Sequence, residues 1–223
     1  MKIRFTDYSL GAGVATDLVN TAGEVRSAGD FLDGPGALAA FLVEHGLRPE
    51  ALEHTCSPSR RDLNEVHSLR RRVRSILEAT QDDAVEGASG LVAGAGRGPR
   101  LLRDDDRAWQ WYLMTEPHTR LADELGVLIG IGLLGVIHNL GHSRFRPCES
   151  PVCNGVFVDS SKAGRRRYCM PEICGNRLNV AKYRARQRAL GNSLAAPPDI
   201  PVRFRPLFAT LPGTSKPGTT TTG

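Results

Sequence analysis

Residues 148–174 read CESPVCNGVFVDSSKAGRRRYCMPEIC, and this stretch decides the fold of the C-terminal part of the chain. Four residues separate Cys148 from Cys153, four separate Cys169 from Cys174, and fifteen lie between the two pairs. A shared site requires each pair to bend back so that both sulfurs face one point. Pro151 and Gly155 serve the first bend, and Pro171 and Gly175 serve the second. Val156-Phe157-Val158, a turn-rich run over 159–164, and Arg165-Arg166-Arg167-Tyr168 together predict a β-hairpin that returns the chain to the second pair. Cys174 falls where a last helix, over residues 175–190, is expected to begin, and a helix N-terminus favours a thiolate. Knuckle, hairpin and helix with a terminal ligand make a treble-clef-like plan.

That spacing predicts a metal site with Cys148, Cys153, Cys169 and Cys174 as ligands and Zn2+ as the ion. Iron is a possible occupant, but paired spacing around a structural hairpin favours zinc. Two disulfides are the alternative, and they need an oxidising compartment that nothing else in the sequence supports. Four protein ligands leave no open coordination position, so the site reads as structural and not catalytic. Cys56 stands alone, and a buried structural thiol is the expectation for it.

Charge divides the chain at the same place. Residues 144–188 hold eleven Lys/Arg against three Asp/Glu, whereas residues 1–143 hold fifteen against twenty. A basic module following an acidic one points to a polyanion partner, with a merely solvated basic surface as the alternative; nucleic acid is the expectation, double-stranded DNA ahead of RNA. The candidate contacts are Arg165, Arg166 and Arg167 on the hairpin, and Arg177, Lys182, Arg184, Arg186 and Arg188 on the last helix. Arginines close to a four-thiolate site also serve to offset its charge, so Arg177 and Asn176 are candidates for bracing the metal instead. No aromatic platform of the kind used for single strands accompanies the finger.

The first 143 residues read as a mainly α domain with a small β-hairpin. Residues 8–22 are apolar-leaning without a deciding period. Leu38, Phe41 and Leu42 predict a short helix ending at Gly46. Ser59 caps a helix whose stripe is Leu63, Val66, Leu69, Val73, Ile76 and Leu77, with Arg70, Arg71, Arg72 and Arg74 on a solvated face. The Gly- and Ala-rich residues 84–100 read as a flexible loop without the ending of a phosphate-binding loop. Residues 100–102 and 109–113 pair as strands around Asp104-Asp105-Asp106. A long helix over 117–142 follows. Its apolar part, 125–137, is shorter than a membrane span, so a buried core helix is expected, with its glycines permitting close packing. The chain opens without a secretory signal, which with the cysteine pattern predicts a cytoplasmic protein. After Gly191 the Pro/Thr/Gly-rich residues 191–223 are expected to be a disordered tail.

Cys174-Gly175-Asn176-Arg177 brings the reading to a known pattern. Residues 144–188 resemble the CGNR zinc finger, through both cysteine pairs, Val158-Asp159-Ser160-Ser161, Arg166-Arg167-Tyr168-Cys169 and Lys182-Tyr183-Arg184-Ala185-Arg186. The upstream region is similar to the ABATE domain, the usual partner of this finger in bacterial proteins, on Asp17-Leu18-Val19-Asn20-Thr21 and the helix layout. The resemblance implies a three-part chain: an ABATE-like sensor or oligomerisation domain over 1–143, the finger over 144–190, and the tail. It implies a bacterial transcription regulator of a stress-induced kind, with the four cysteines as ligands, and it transfers no DNA-reading residues.

The leading functional expectation is thus a zinc-containing DNA-binding transcription regulator whose N-terminal domain takes a small-molecule effector or forms a homodimer, with no membrane association. Asn20, Thr21, Trp109 and Trp111 are candidate sensor residues, each with an ordinary core or turn role as the alternative. The competing expectation is a zinc-stapled interaction module for an acidic protein. Enzyme activity is not expected. His138 and His142 lie four apart beside the finger, but no third ligand accompanies them at motif spacing.

Overall fold

The computed structural model describes residues 1–4, 7–25 and 29–175. The helix expected over 175–190 lies outside the described residues beyond Gly175. So do Asn176, Arg177, Lys182, Arg184, Arg186, Arg188 and the tail.

The centre of the body is α5 (Leu121–Leu140), which buries nearly every side chain of its first four turns. This helix is long and apolar enough to cross a membrane, yet 72 % of its most apolar stretch is buried inside the protein, as the core reading expected. Two helices lie close on it, α1 (Tyr8–Val19) and α4 (Gln81–Ala93). The glycines make that approach possible. A Cβ on Gly132 would come within 2.4 Å of the Ala12 nitrogen on α1, and one on Gly130 within 2.7 Å of the Ala88 carbonyl oxygen on α4. Around this trio pack α2 (Pro35–Glu44) and α3 (Arg60–Glu78). The apolar stripe of α3 is buried as predicted, and Ser59 and Asp62 form a reciprocal capping box at its start.

Two sequence expectations fail here for physical reasons. Residues 84–100 are not a flexible loop. Ala84, Ala88 and Leu91 recur at helical spacing and are buried in α4, and small side chains are what its close packing on α5 requires. Tertiary packing outweighs the poor helix propensity of Gly87 and Gly90. The arginine run of α3 is also not uniformly solvated. Arg70 is buried, donating to Asp30 Oδ1 at 2.8 Å and Thr21 Oγ1 at 3.0 Å, and Arg74 donates to the Asn154 carbonyl at 2.8 Å. Cys56, expected to be buried, is exposed.

On one side of the helices lies a three-stranded antiparallel sheet in the order β1-β3-β2, made of β1 (Lys2–Arg4), β2 (Gly96–Arg103) and β3 (Trp109–Thr115). The predicted hairpin is its larger part, with Leu101 opposite Trp111 and Arg103 opposite Trp109. The remaining strands, β4 (Phe145–Pro147) and β5 (Val156–Val158), form a separate antiparallel pair in the C-terminal finger.

That pair corrects the predicted hairpin of the finger. Val156–Val158 pairs with Phe145–Pro147, which precedes the first cysteine, and not with residues 165–168. The second edge of β5 is already taken. Val156 N–H donates to Asn20 Oδ1 (3.2 Å), its carbonyl accepts from Asn20 Nδ2 (2.7 Å), and Val158 N–H donates to Thr16 Oγ1 (3.0 Å). Side chains from α1 and the residue just after it thus stand in for a third strand. The Arg166 N–H, which a strand at that edge would use, donates instead to Asp159 Oδ2 at 3.0 Å.

Candidate metal centre

The knuckle Cys148–Cys153 is the turn between β4 and β5. Cys148 N–H donates to the Gly155 carbonyl at 2.7 Å, and Cys153 N–H to the Ser150 carbonyl at 3.0 Å, which folds the two sulfurs toward each other. The second pair closes in a wide turn, Pro171–Gly175, where Cys174 N–H donates to the Met170 carbonyl at 2.8 Å. The four predicted ligands come together: the Sγ atoms of Cys148, Cys153, Cys169 and Cys174 all lie within 4.8 Å of one another. Cys153 and Cys169 are 3.6 Å apart, Cys169 and Cys174 3.7 Å, and none is in a disulfide. Backbone N–H groups already point at two sulfurs, Gly155 at Cys153 (3.3 Å) and Cys169 at Cys148 (3.5 Å).

Without a cation this cluster resists ionisation. Burial, reinforced by the neighbouring thiols, pushes Cys174 up to about 12 and Cys169 higher still. Cys148 moves the other way. Burial raises it, but N–H groups of Cys169 and Ser150 and the adjacent thiols outweigh that and lower it below the ordinary thiol value. Soft sulfur donors, converging and mostly buried, suit a metal ion that supplies the missing positive charge. Among the described residues no other group of three or more His, Cys, Asp or Glu is so placed, and His138 and His142 take no part in this one.

Three features hold the cluster in place; the sequence marks Gly155 as part of a bend but displays the contacts of none of them. The first is Asp159, fully buried, whose carboxylate accepts from Ser161 N–H (3.1 Å), the Ser161 hydroxyl and Arg166 N–H. Burial pushes its pKa up, but these bonds and the Arg144 charge bring the net shift below the usual carboxylate range. The second is a pair of arginines on the strand side. Arg144 donates to the Ser161 carbonyl at 2.7 Å and Arg146 to the Gly164 carbonyl at 2.9 Å. The third is Gly155, where a Cβ would lie 2.6 Å from Cys169 Sγ and 2.7 Å from Asn20 Oδ1. Only glycine fits between the thiols and the asparagine that ties the finger to α1. The Asp159 signal was visible as Val-Asp-Ser-Ser, but its role depends on contacts that the sequence does not display.

The predicted nucleic-acid residues on the loop divide. Arg166 is turned inward, donating to the Tyr168 carbonyl at 2.9 Å and to the Cys169 carbonyl, with its guanidinium 4.8 Å from the Phe157 ring centre. Its environment is the finger itself. Arg167 is exposed and paired with Glu149 at 2.6 Å. Arg165 and Lys162 are exposed. The candidate sensor residues divide too. Asn20 and Thr21 are buried in contacts with β5 and Arg70, while Trp109 and Trp111 are open to solvent.

A profile of the CGNR zinc finger matches residues 144–187. A profile of the ABATE family, described as "Putative stress-induced transcription regulator", matches residues 12–136, more than half of the chain. The chain belongs to the ABATE family. No curated protein matches it. The ABATE domain and the CGNR finger meet through α1 and β5, and they share a core. Val156 and Val158 join the apolar cluster of the ABATE helices, while Phe157 between them packs with Cys148, Cys169 and Cys174. Strand alternation thus sends one face of β5 into each domain.

Proposed function

We propose that this chain is a zinc-containing DNA-binding transcription regulator, with the basic finger contacting the duplex and the ABATE domain responding to a signal. The observation that carries the reading is the thiol cluster. A tetrahedron of sulfurs near 2.3 Å from a central zinc has edges of about 3.8 Å; two of the sulfur pairs are 3.6 and 3.7 Å apart, and all four sulfurs lie within 4.8 Å of one another. Cys148, Cys153, Cys169 and Cys174 would hold Zn2+, which would supply charge compensation and a cross-link between the knuckle and the second turn.

Around that cross-link, Lys162 and Arg165 sit exposed on the 159–166 loop, and the loop is pinned by Asp159, Arg144 and Arg146. A pinned loop presents its cations at little ordering cost, which favours phosphate contacts. Arg177, Lys182, Arg184, Arg186 and Arg188 would add the larger share of the charge. Arg166 belongs to the scaffold.

Fluorescence anisotropy of the zinc-loaded chain on double-stranded DNA across a salt series tests this. Wild type should bind with a steep, linear fall of log affinity against log salt. Changing Arg184, Arg186 and Arg188 to Ala should lower both affinity and slope, and Lys162→Ala with Arg165→Ala should lower the slope by about 2. A zinc-loaded, folded chain that ignores DNA at low salt would sink the proposal and favour an acidic protein as partner.

A further inference from the structure

The sheet leaves open a face that its own pattern marks for burial. On β3, Leu113 and Thr115 point into the core, and the same face continues outward as Trp111 and Trp109. Leu101 stands across from Trp111 and Arg103 across from Trp109, so all four share that face. Trp109, Trp111 and Leu101 are 58, 50 and 45 % exposed. The Arg103 guanidinium lies 4.4 Å from the Trp109 ring centre, holding that ring in place. Two tryptophans and a leucine side by side make an anchor of the kind found at the centre of protein interfaces. Alongside, β2 is the edge strand, and among the described residues no strand pairs with its outer side.

Charge identifies what fits there. The edge carries Arg97, Arg100 and Arg103 and no acidic residue, while the turn beyond it carries Asp104, Asp105 and Asp106 against one cation, Arg107. Arg97 is paired with Glu116 and Asp104 with Arg4, which leaves Arg100, Asp105 and Asp106 without ion-pair partners among the described residues. Phosphates would meet the three aspartates at the tip, and an acidic peptide would meet the same repulsion. A surface that is cationic along its edge, anionic at its tip and apolar between is complementary to itself when inverted by a two-fold axis.

We propose that the β2–β3 hairpin is a homodimer interface, two copies packing antiparallel with Trp109, Trp111 and Leu101 at the centre and the aspartate tip of each against the arginine edge of the other. The inference is independent of DNA binding. Sedimentation equilibrium of the zinc-loaded full chain, up to roughly 100 μM, should find a dimer with dissociation in the micromolar range or tighter. Trp109→Gln with Trp111→Gln should weaken it at least about tenfold. Asp105→Arg with Asp106→Arg should weaken it as well, as should Arg97→Asp with Arg100→Asp, and an equimolar mixture of these two charge-reversed proteins should pair again. Circular dichroism and zinc content confirm that each variant is folded, and the tip substitutions lie on exposed side chains. A wild type that stays monomeric overturns the proposal. So does a dimer indifferent to all three variants, and so does a failure of the mixed proteins to pair.

Discussion

The helical body and the finger are built by different means, although they share a strand. The body is held by a continuous apolar cluster running from Ile3 through α1, α3 and α5 to Val158. Among the described residues, the finger has one fully buried large apolar side chain of its own, Phe157, packed among cysteines, together with polar bonds to Asp159, Arg144 and Arg146. A unit that small buries little apolar surface, so the shared strand and the thiol cluster, once it holds the proposed metal, are what order it. The difference teaches that the finger is conditional, whereas the body is not.

The sharpest way to break that asymmetry is at Cys169, the most deeply buried ligand. Cys169→Ser, or chelation of the metal, should remove a binding term on the order of 10 kcal/mol from the finger. Zinc content should fall to near zero, and amide protection over 144–175 should collapse. Helical circular dichroism should persist, because α1 to α5 keep their own core. Loss of the helical signal together with the metal would refute the division.

The reciprocal substitution is Leu125→Ala in α5, a fully buried side chain in the body. It should cost about 3 kcal/mol of global stability, read by urea denaturation, and should leave zinc stoichiometry at one. Body and finger then respond to different insults, which is the comparison stated as an experiment.

Much of this architecture was legible in the sequence, and the illegible part has a common cause. The cysteine spacing, the Ser59 cap, the α3 stripe and the core helix are local or periodic signals, and a single chain displays them directly. Residues 84–100 misled because glycine and alanine signal flexibility by propensity, whereas here their small size serves helix packing. The sequence does not tell which edge of β5 is paired, because β5 is equally apolar either way. What excludes residues 165–168 is Thr16 and Asn20, some 140 positions upstream. The inward bonds of Arg166 to the Tyr168 and Cys169 carbonyls are likewise matters of tertiary placement that the sequence does not display.

Asn20 is where the comparison can be sharpened, since it belongs to the body and acts on the finger. Asn20→Ala would leave the buried N–H and carbonyl of Val156 unpaired, at a cost of about 2 kcal/mol. The melting temperature should fall, and a zinc competition titration should show weaker binding although no ligand has changed. Asn20→Asp keeps the acceptor for Val156 N–H and loses the donor, so it should retain part of both effects. Weaker stability with unaltered zinc affinity would mean that the bracket positions β5 without supporting the metal centre.

The smallest effect concerns the same helix from its other side. The protonated His45 ring donates through Nε2 to Asp17 Oδ2 (3.1 Å) and through Nδ1 to the Phe41 carbonyl (2.8 Å), with its ring almost fully buried. Burial alone would lower its pKa. The bonds to Asp17 and Phe41 outweigh burial, and the net shift is upward from the ordinary value. A folded pKa above the unfolded one means that the protonated ring stabilises the fold. The contribution is complete below the unfolded value, near 6.5, and is lost as pH rises through the raised folded value. Stability measured by urea denaturation should therefore decline from about pH 6.5 upward by a modest amount, below ~1 kcal/mol. His45→Gln should flatten that decline. Because Asp17 sits one residue from Thr16, the bracket on β5, zinc affinity followed over the same pH range in wild type and in His45→Gln would tell whether this pair is felt by the body alone or reaches the finger. A pH-dependence of zinc binding that is identical in the two proteins would confine His45 to the body, where the rest of its contacts lie.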